Sequence, residues 1–371
     1  MNTATYSFPT TIRFGTGTVR ELPEQLARLG VSNPLVVTDP GLFSTRAFAA
    51  LEAVLRGNCG IFSNVHPNPI EADVDGAARA YTTAGCDGVI AFGGGSALDV
   101  GKAVRLRIRR PNMKLREFDF HADWRGLMPC IAIPTTAGTG SEVGRSSVII
   151  LGGRKKVLFH PELLASLVIL DPELTRDLPA HLTAATGLDA LTHCIESFTS
   201  PVFHPMCEGI ALEGIRLIGQ SLATAVRDGH NLEARGLMQI AAMMGGIAFQ
   251  KDLGATHSLA HPLSSVCGLH HGLANALCLV PVMKFNAARK PGLYTRVGIS
   301  LGLIDPGDGA TIEAVRTLLR EIGITGGLRE HGVTEAHLEE LTEQAFEDGC
   351  HQTNPVPVTR EDLRALYEEA L

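Results

Sequence analysis

The chain carries fourteen histidines, and four of them fall in one short stretch, HSLAHPLSSVCGLHHG at 257–272. An earlier stretch, GLDALTHCIE, adds Asp189 and His193 four residues apart. On a helix that spacing puts both side chains on one face, about 6 Å apart along the axis, where a carboxylate and an imidazole can grip one ion. His257 and His261 repeat the i,i+4 geometry. His270 and His271 follow a turn signal at Cys267–Gly268, where a new helix, GLANALCLV, begins. Two helices and one helix start can therefore converge on a single centre.

The bland alternatives are real. An isolated Asp-x3-His pair is commonly structural, and a lone histidine on an apolar face is usually a satisfied core residue. Here, however, the histidines lie in apolar, low-charge segments where an unpaired polar group is costly. One carboxylate with two or three imidazoles suits Fe(II), Zn(II) or a similar ion and is too rich in nitrogen for Mg or Ca. Spacing alone leaves metal binding and structural pairing both open.

A second set of residues suits a nucleotide. VIAFGGGSALDVGKA (89–103) reads as a strand, three glycines and a helix capped by Ser96. Backbone N–H groups at such a helix start can hold a phosphate, and glycines allow close approach. It is neither a P-loop nor a GxGxxG of the usual spacing, so a plain strand-to-helix turn is an equal reading. PTTAGTGSE (134–142) is a second loop rich in hydroxyls and glycine, able to donate to a diphosphate or ribose. In VVTDPG, Asp39 follows a strand, where a carboxylate can accept from an adenosine ribose and repel a 2′-phosphate; Asp39-Pro40-Gly41 also reads as a simple turn.

The elements that must position these residues divide into two halves. In the first, apolar runs alternate with helical periodicity: strands in NPLVVTDPG (33–41), CDGVIAFGGG (86–95) and MPCIAIPTTAGTGSE (128–142), helices in 47–57 and 96–108. That order predicts an α/β dinucleotide-binding domain with a parallel sheet over 1–178, its ligands beyond the C-terminal strand ends. From 179 to 371 amphipathic segments follow at 180–199, 205–228, 231–250, 253–262, 272–288, 311–324, 335–348 and 359–370, predicting an all-helical metal-binding and catalytic domain. The stretch TTIRFGTGTV (10–19) reads as a short hairpin with exposed edges, which pairing across a homodimer axis would cover.

Composition narrows the class. The 371 residues suffice for two cores, and 45% hydrophobic with 19% charged residues is ordinary for an enzyme. A net charge of -7 argues against nucleic acid or an anionic membrane as partner. Eight cysteines without a CxxC pair predict reduced thiols and a cytoplasmic protein. The N-terminal residues lack the basic start and apolar core of a signal peptide, and no apolar run reaches membrane-spanning length.

Together, GGGSALDVGK, PTTAGTGSEV, ATGLDALTHCIE, AHPL and HHGLANAL resemble the iron-containing (group III) alcohol dehydrogenase family of the dehydroquinate synthase-like superfamily, from FGTG at 14–17 to NPVPVT at 354–359. The resemblance implies a divalent metal, typically Fe(II) with Zn(II) as the alternative, held by Asp189, His193, His257 and His271. It implies His261 beside the substrate as a proton-relay residue, and His270 as a neighbour outside the ligand set. It assigns Gly93, Gly94, Gly95 and Ser96 to the cofactor diphosphate, and counts Asp99, Thr135, Thr136 and Thr139 among cofactor-contacting positions. Lys155 would approach the nicotinamide ribose, and Asp39 would favour NAD(H) over NADP(H). The implied reaction passes hydride between nicotinamide C4 and a small metal-bound alcohol or aldehyde, in the cleft between two domains, and dimers are implied as well.

Departures bear on the substrate. The family often has threonine after SEV, whereas Gly144 and Arg145 stand here, and the hairpin that follows is short. Arg145 suggests a substrate with a second, anionic group, against the simpler reading of a solvent arginine or an ion pair. Three rivals are weighed. A dehydroquinate synthase-like cyclase needs more basic residues around the metal segments than are present. A zinc polyol dehydrogenase of glycerol dehydrogenase type has fewer metal ligands. A non-catalytic metal or nucleotide binder would not need both constellations intact.

Overall fold

The computed structural model describes residues 6–371. They divide into two compact units, one of Phe8–Thr136 and Gly140–Leu178, the other of residues 6–7, Ala137–Thr139 and Pro179–Leu371.

In the first unit, β1 (Thr11–Phe14), β2 (Pro34–Val37), β3 (Gly60–Phe62), β4 (Gly88–Gly93), β5 (Cys130–Pro134) and β8 (Leu167–Leu170) form a six-stranded parallel sheet in the order β1-β8-β5-β4-β2-β3. β2, β4, β5 and β8 are buried along their whole length, which is why they read as unbroken apolar runs and not as alternation. The helices α1 (Leu22–Arg28), α2 (Arg46–Leu55), α3 (Glu71–Ala84) and α4 (Gly95–Arg109) link and flank the strands. Leu22, Leu26, Phe48 and Leu51 of α1 and α2 pack on Val36, Ile90, Phe92 and Ile133 of the sheet. A separate antiparallel hairpin, β6 (Ser146–Leu151) with β7 (Arg154–Phe159), turns at Gly152–Gly153.

Two local expectations are corrected. TTIRFGTGTV is no hairpin: β1 joins the sheet edge parallel to β8, and a 3-10 turn follows at Thr18–Glu21. The side chain of Asp171 drives the change by accepting from the N–H groups of Gly17 and Val19, so the chain coils where a return strand would begin. Ser96 does not cap α4. Gly94 is the N-cap, and the Ser96 hydroxyl donates instead to the Pro67 carbonyl at 2.6 Å.

The second unit is helical: α5 (Ala180–Thr199), α6 (Pro205–Arg227), α7 (Leu232–Ala248), α8 (Ala255–Val266), α9 (His271–Arg289), α10 (Thr295–Ser300), α11 (Asp308–Glu321), α12 (Leu338–Glu347) and α13 (Arg360–Ala370). α5 is buried on nearly every side, as expected of an interior helix that is apolar all round. Its Leu188, Leu191 and Ile195 pack with Ile215, Ile218 and Leu222 of α6 and Met238 of α7. A second core joins α8, α9, α12 and α13 through Leu259, Leu263, Val282, Leu341, Leu363 and Tyr367. α8 continues past Pro262, where a sequence reading ends it, because Leu263 beyond the proline is buried in that core. Among the described residues no helix is long and apolar enough to cross a membrane.

Candidate metal centre and cofactor edge

Within the helical unit, three imidazoles surround one carboxylate oxygen. Asp189 Oδ1 lies 3.7 Å from His193 Nε2, 3.8 Å from His257 Nε2 and 3.5 Å from His271 Nε2. Asp189 and His193 come from successive turns of α5, His257 from α8, and His271 from the first residue of α9. Gly272 lets α9 start so close: a Cβ there would lie 2.1 Å from the Ala185 carbonyl of α5. Asp189, His257 and His271 present ligand atoms within 4.8 Å of one another; His193 falls outside that set and stands 3.7 Å from Asp189 Oδ1 through its Nε2.

These separations fit an ion. They are long for hydrogen bonds, whereas ligands about 2.0–2.2 Å from one tetrahedral metal stand about 3.4 Å apart. The donor set, one oxygen and three imidazole nitrogens, is that of Fe(II) or Zn(II). The electrostatics agree. Burial pushes the Asp189 carboxyl up, but His193, His271, His257 and the Asn275 amide outweigh it and hold the group down at about 2. Burial presses His193 down to about 4, despite the pull of Asp189, so its ring stays neutral and ready to coordinate. His257 is raised: burial opposes its charge, and Glu196 and Asp189 more than reverse that.

Side chains that sequence reasoning missed hold this ring in place. Glu196 is buried and accepts from His257 Nδ1 at 2.6 Å and from the Thr256 amide at 2.7 Å. With Nδ1–H committed to a carboxylate, Nε2 is the nitrogen left for a metal. The signal was present, since Glu196 follows Asp189 by seven residues, two turns along the same face of α5. Asn275, one turn after His271, donates to Asp189 Oδ1 at 2.8 Å; its longer contacts to His257 and His271 Nε2 are both 3.3 Å. Asn354 of the NPVPVT motif accepts from the Ala255 amide at the start of α8.

His261 stands one turn after His257. Its ring lies parallel to that of His271, centroids 5.2 Å apart, and Nδ1 contacts Asp348 Oδ2 at 2.8 Å. His270 is the N-cap position of α9 and carries no side-chain cap there.

In the sheet unit, several of the predicted cofactor residues share one edge. Asp39, Gly93–Ser96 and Thr135–Thr136 follow the C-terminal ends of the adjacent strands β2, β4 and β5. The Thr135 amide donates to the Gly93 carbonyl at 3.0 Å. Gly93 has φ +145°, and a Cβ there would meet Ala97 at 2.8 Å and the Asp39 carboxylate at 3.4 Å, so the turn into α4 requires glycine. The first N–H groups of α4 therefore open onto this edge beside Asp39. Asp99 does not present its carboxylate there: the oxygens accept from the Ser141 hydroxyl, the Val148 amide and Lys102. Lys155 lies on β7 opposite Ile150. Thr139 belongs to the residues grouped with the helical unit.

Comparison with known proteins agrees in extent. Residues 9–172 match the model of iron-containing alcohol dehydrogenases, and residues 183–371 match that of the C-terminal region of the Fe-containing alcohol dehydrogenase family. A 4-hydroxybutyrate dehydrogenase of Cupriavidus necator is 39% identical over 98% of this chain and 98% of its own length. Among solved structures, a 1,3-propanediol oxidoreductase superposes with a TM-score of 0.96 at 32% identity, covering 100% of both chains. A sulfoacetaldehyde reductase from Bifidobacterium kashiwanohense, solved with NAD+, does so with a TM-score of 0.91 at 30% identity, covering 100% of this chain and 99% of that one.

Proposed function

Because this chain belongs to the iron-containing alcohol dehydrogenase family and is an alcohol–aldehyde oxidoreductase, we propose that it works with NAD(H) on a small alcohol or aldehyde, using a divalent cation held by Asp189, His193, His257 and His271. The observation that carries this reading is the set of three imidazole nitrogens 3.5–3.8 Å from one buried carboxylate oxygen. Fe(II) is the proposed metal, with Zn(II) the alternative that the same donors accept.

When bound, the cation supplies Lewis acidity that eases loss of the alcohol proton. The chain does the rest. Glu196 fixes the coordinating nitrogen of His257, and Asn275 steadies Asp189. His261 takes the proton from the alcohol and returns it towards solvent. NAD+, when bound, would supply the hydride acceptor for oxidation of the alcohol. At the sheet edge, the amides that start α4 bind the diphosphate beside Gly93, Gly94, Gly95 and Ser96, with Thr135, Thr136, Thr139 and Lys155 as further contacts. Asp39 accepts from the ribose and repels a 2′-phosphate. Asp99 acts one step back, by holding Ser141 and Val148 in place. Anaerobic reconstitution with Fe(II), followed by nicotinamide absorbance on a panel of alcohols and aldehydes, tests the reading. Metal-dependent turnover with NAD(H) is expected, and a fully loaded protein inert towards every member would contradict it.

A finer reading concerns an acidic substrate. Two relatives carry names that specify a carboxylate- or sulfonate-bearing substrate, and Arg145 adds a guanidinium, stacked 5.3 Å from the Phe159 ring. Arg145→Ala is expected to raise KM for an ω-hydroxy acid and to leave KM for a neutral alcohol unchanged. We further propose a cytoplasmic homodimer in which the outer edge of β1, free of a strand partner among the described residues, pairs with its copy.

A further inference from the structure

His257 and His261 sit one turn apart on α8, and each has its Nδ1 against a carboxylate. The Glu196–His257 contact serves the metal centre. The second contact has the same form and a different setting. Asp348 lies between the end of α12 and a 3-10 turn at Gly349–Thr353, so its position is fixed by two elements. Its Oδ2 faces His261 Nδ1 at 2.8 Å. Its Oδ1 accepts from the Ser258 hydroxyl and the Cys350 amide, both at 2.9 Å. The Ser258 oxygen is itself held by the His351 amide at 2.8 Å. A carboxylate with three donors is kept ionised: burial raises it, and the His261 contact and these donors bring it well below the usual carboxylate range.

An ionised carboxylate at Nδ1 has two effects on an imidazole. It fixes the tautomer with the proton on Nδ1, and it stops rotation of the ring. The face of the His261 ring lies against His271, with planes 10° apart, so edge and face are both anchored. Nε2 has no hydrogen-bond partner among the described residues. His261 also retains 32% side-chain exposure, as a group that exchanges protons with solvent requires.

We propose that Asp348 is a positioning residue that holds His261 with Nε2 as the proton acceptor of the alcohol O–H. This rests on the relay role of His261 proposed above. It assigns a task to a residue whose motif, EDGC at 347–350, points to no chemistry by itself.

A double-mutant cycle on the metal-loaded enzyme tests it. Asp348→Asn should lower kcat about 10- to 100-fold while KM moves less than about threefold, with metal content and Tm retained. In a His261→Ala background the same change should cost nothing further. Ser258→Ala, which strips one donor from the carboxylate, should give the same pattern in weaker form, so the result does not hang on one variant folding well. A readout without turnover comes from diethylpyrocarbonate acting on metal-free protein, followed at the His261 peptide by mass spectrometry. Acylation at His261 should slow several-fold in Asp348→Asn. An equal loss of kcat with and without His261, or unchanged kcat and unchanged acylation in Asp348→Asn, would overturn the proposal. Full kcat in His261→Ala alone would overturn the relay reading itself, and is distinguishable because it needs no change at Asp348.

Discussion

Asp189 in the helical unit and Glu142 in the sheet unit are buried alike, at 2% and 3% exposure, and their protons behave in opposite ways. Burial raises both. At Asp189, three imidazoles and an amide reverse it and leave an anion at about 2. At Glu142, its own amide and Lys102 oppose burial too weakly, and the group rises to about 7. Lys102 gives its ammonium to the Ser141 carbonyl and hydroxyl and to Asp99. A dry carboxylate thus stays ionised where imidazoles converge on it, and is a cost to the fold where they do not.

Replacing carboxylates one at a time breaks or sharpens that contrast. Asp189→Ala has the largest expected effect: no retained metal by elemental analysis and a kcat lower by about 10³-fold or more. Glu196→Gln keeps the shape and removes the anion behind His257, so metal affinity by competitive chelation should fall about 10- to 100-fold. Glu142→Gln should act on stability and spare kcat. The folded pKa of Glu142 is raised from 4.5 to about 7, so the folded state binds the extra proton and its stability falls as pH rises through that window. Melting curves should therefore coincide for variant and parent below about pH 4.5, separate between about 4.5 and 7, and show the full difference above that range, with the variant more stable by up to about 3 kcal/mol. Asp39→Ser, just past the C-terminal end of β2, is the mildest: the preference for NAD over NADP in kcat/KM should fall about tenfold.

The two sites differ in how far the letters reveal them. The candidate metal centre is built from side chains on helices, and helical spacing is periodic, so the i,i+4 intervals alone place Asp189 with His193, and His257 with His261, on common faces. Its supports divide by the same rule. Glu196 is within reach at i+7 from Asp189, whereas Asp348 reaches His261 across 87 residues by tertiary packing, which no local pattern encodes. The cofactor edge is built largely from main chain. There glycines mark that a turn exists and not which N–H groups it presents, so Ser96 reads as a cap when Gly94 holds that position. Asp99 shows the same limit: a polar residue in a motif gives no direction for its side chain. Strand and helix order is legible because β2, β4, β5 and β8 are wholly buried, and the β1 hairpin fails because a distant aspartate, Asp171, decides that turn.

X-ray absorption on anaerobically Fe(II)-loaded protein bears most directly on the central claim. One iron per chain, with nitrogen and oxygen neighbours at about 2.0–2.2 Å and the multiple scattering of three imidazoles, is the predicted result. A shell containing sulfur, one of oxygen alone, or a chain that keeps no iron would contradict it.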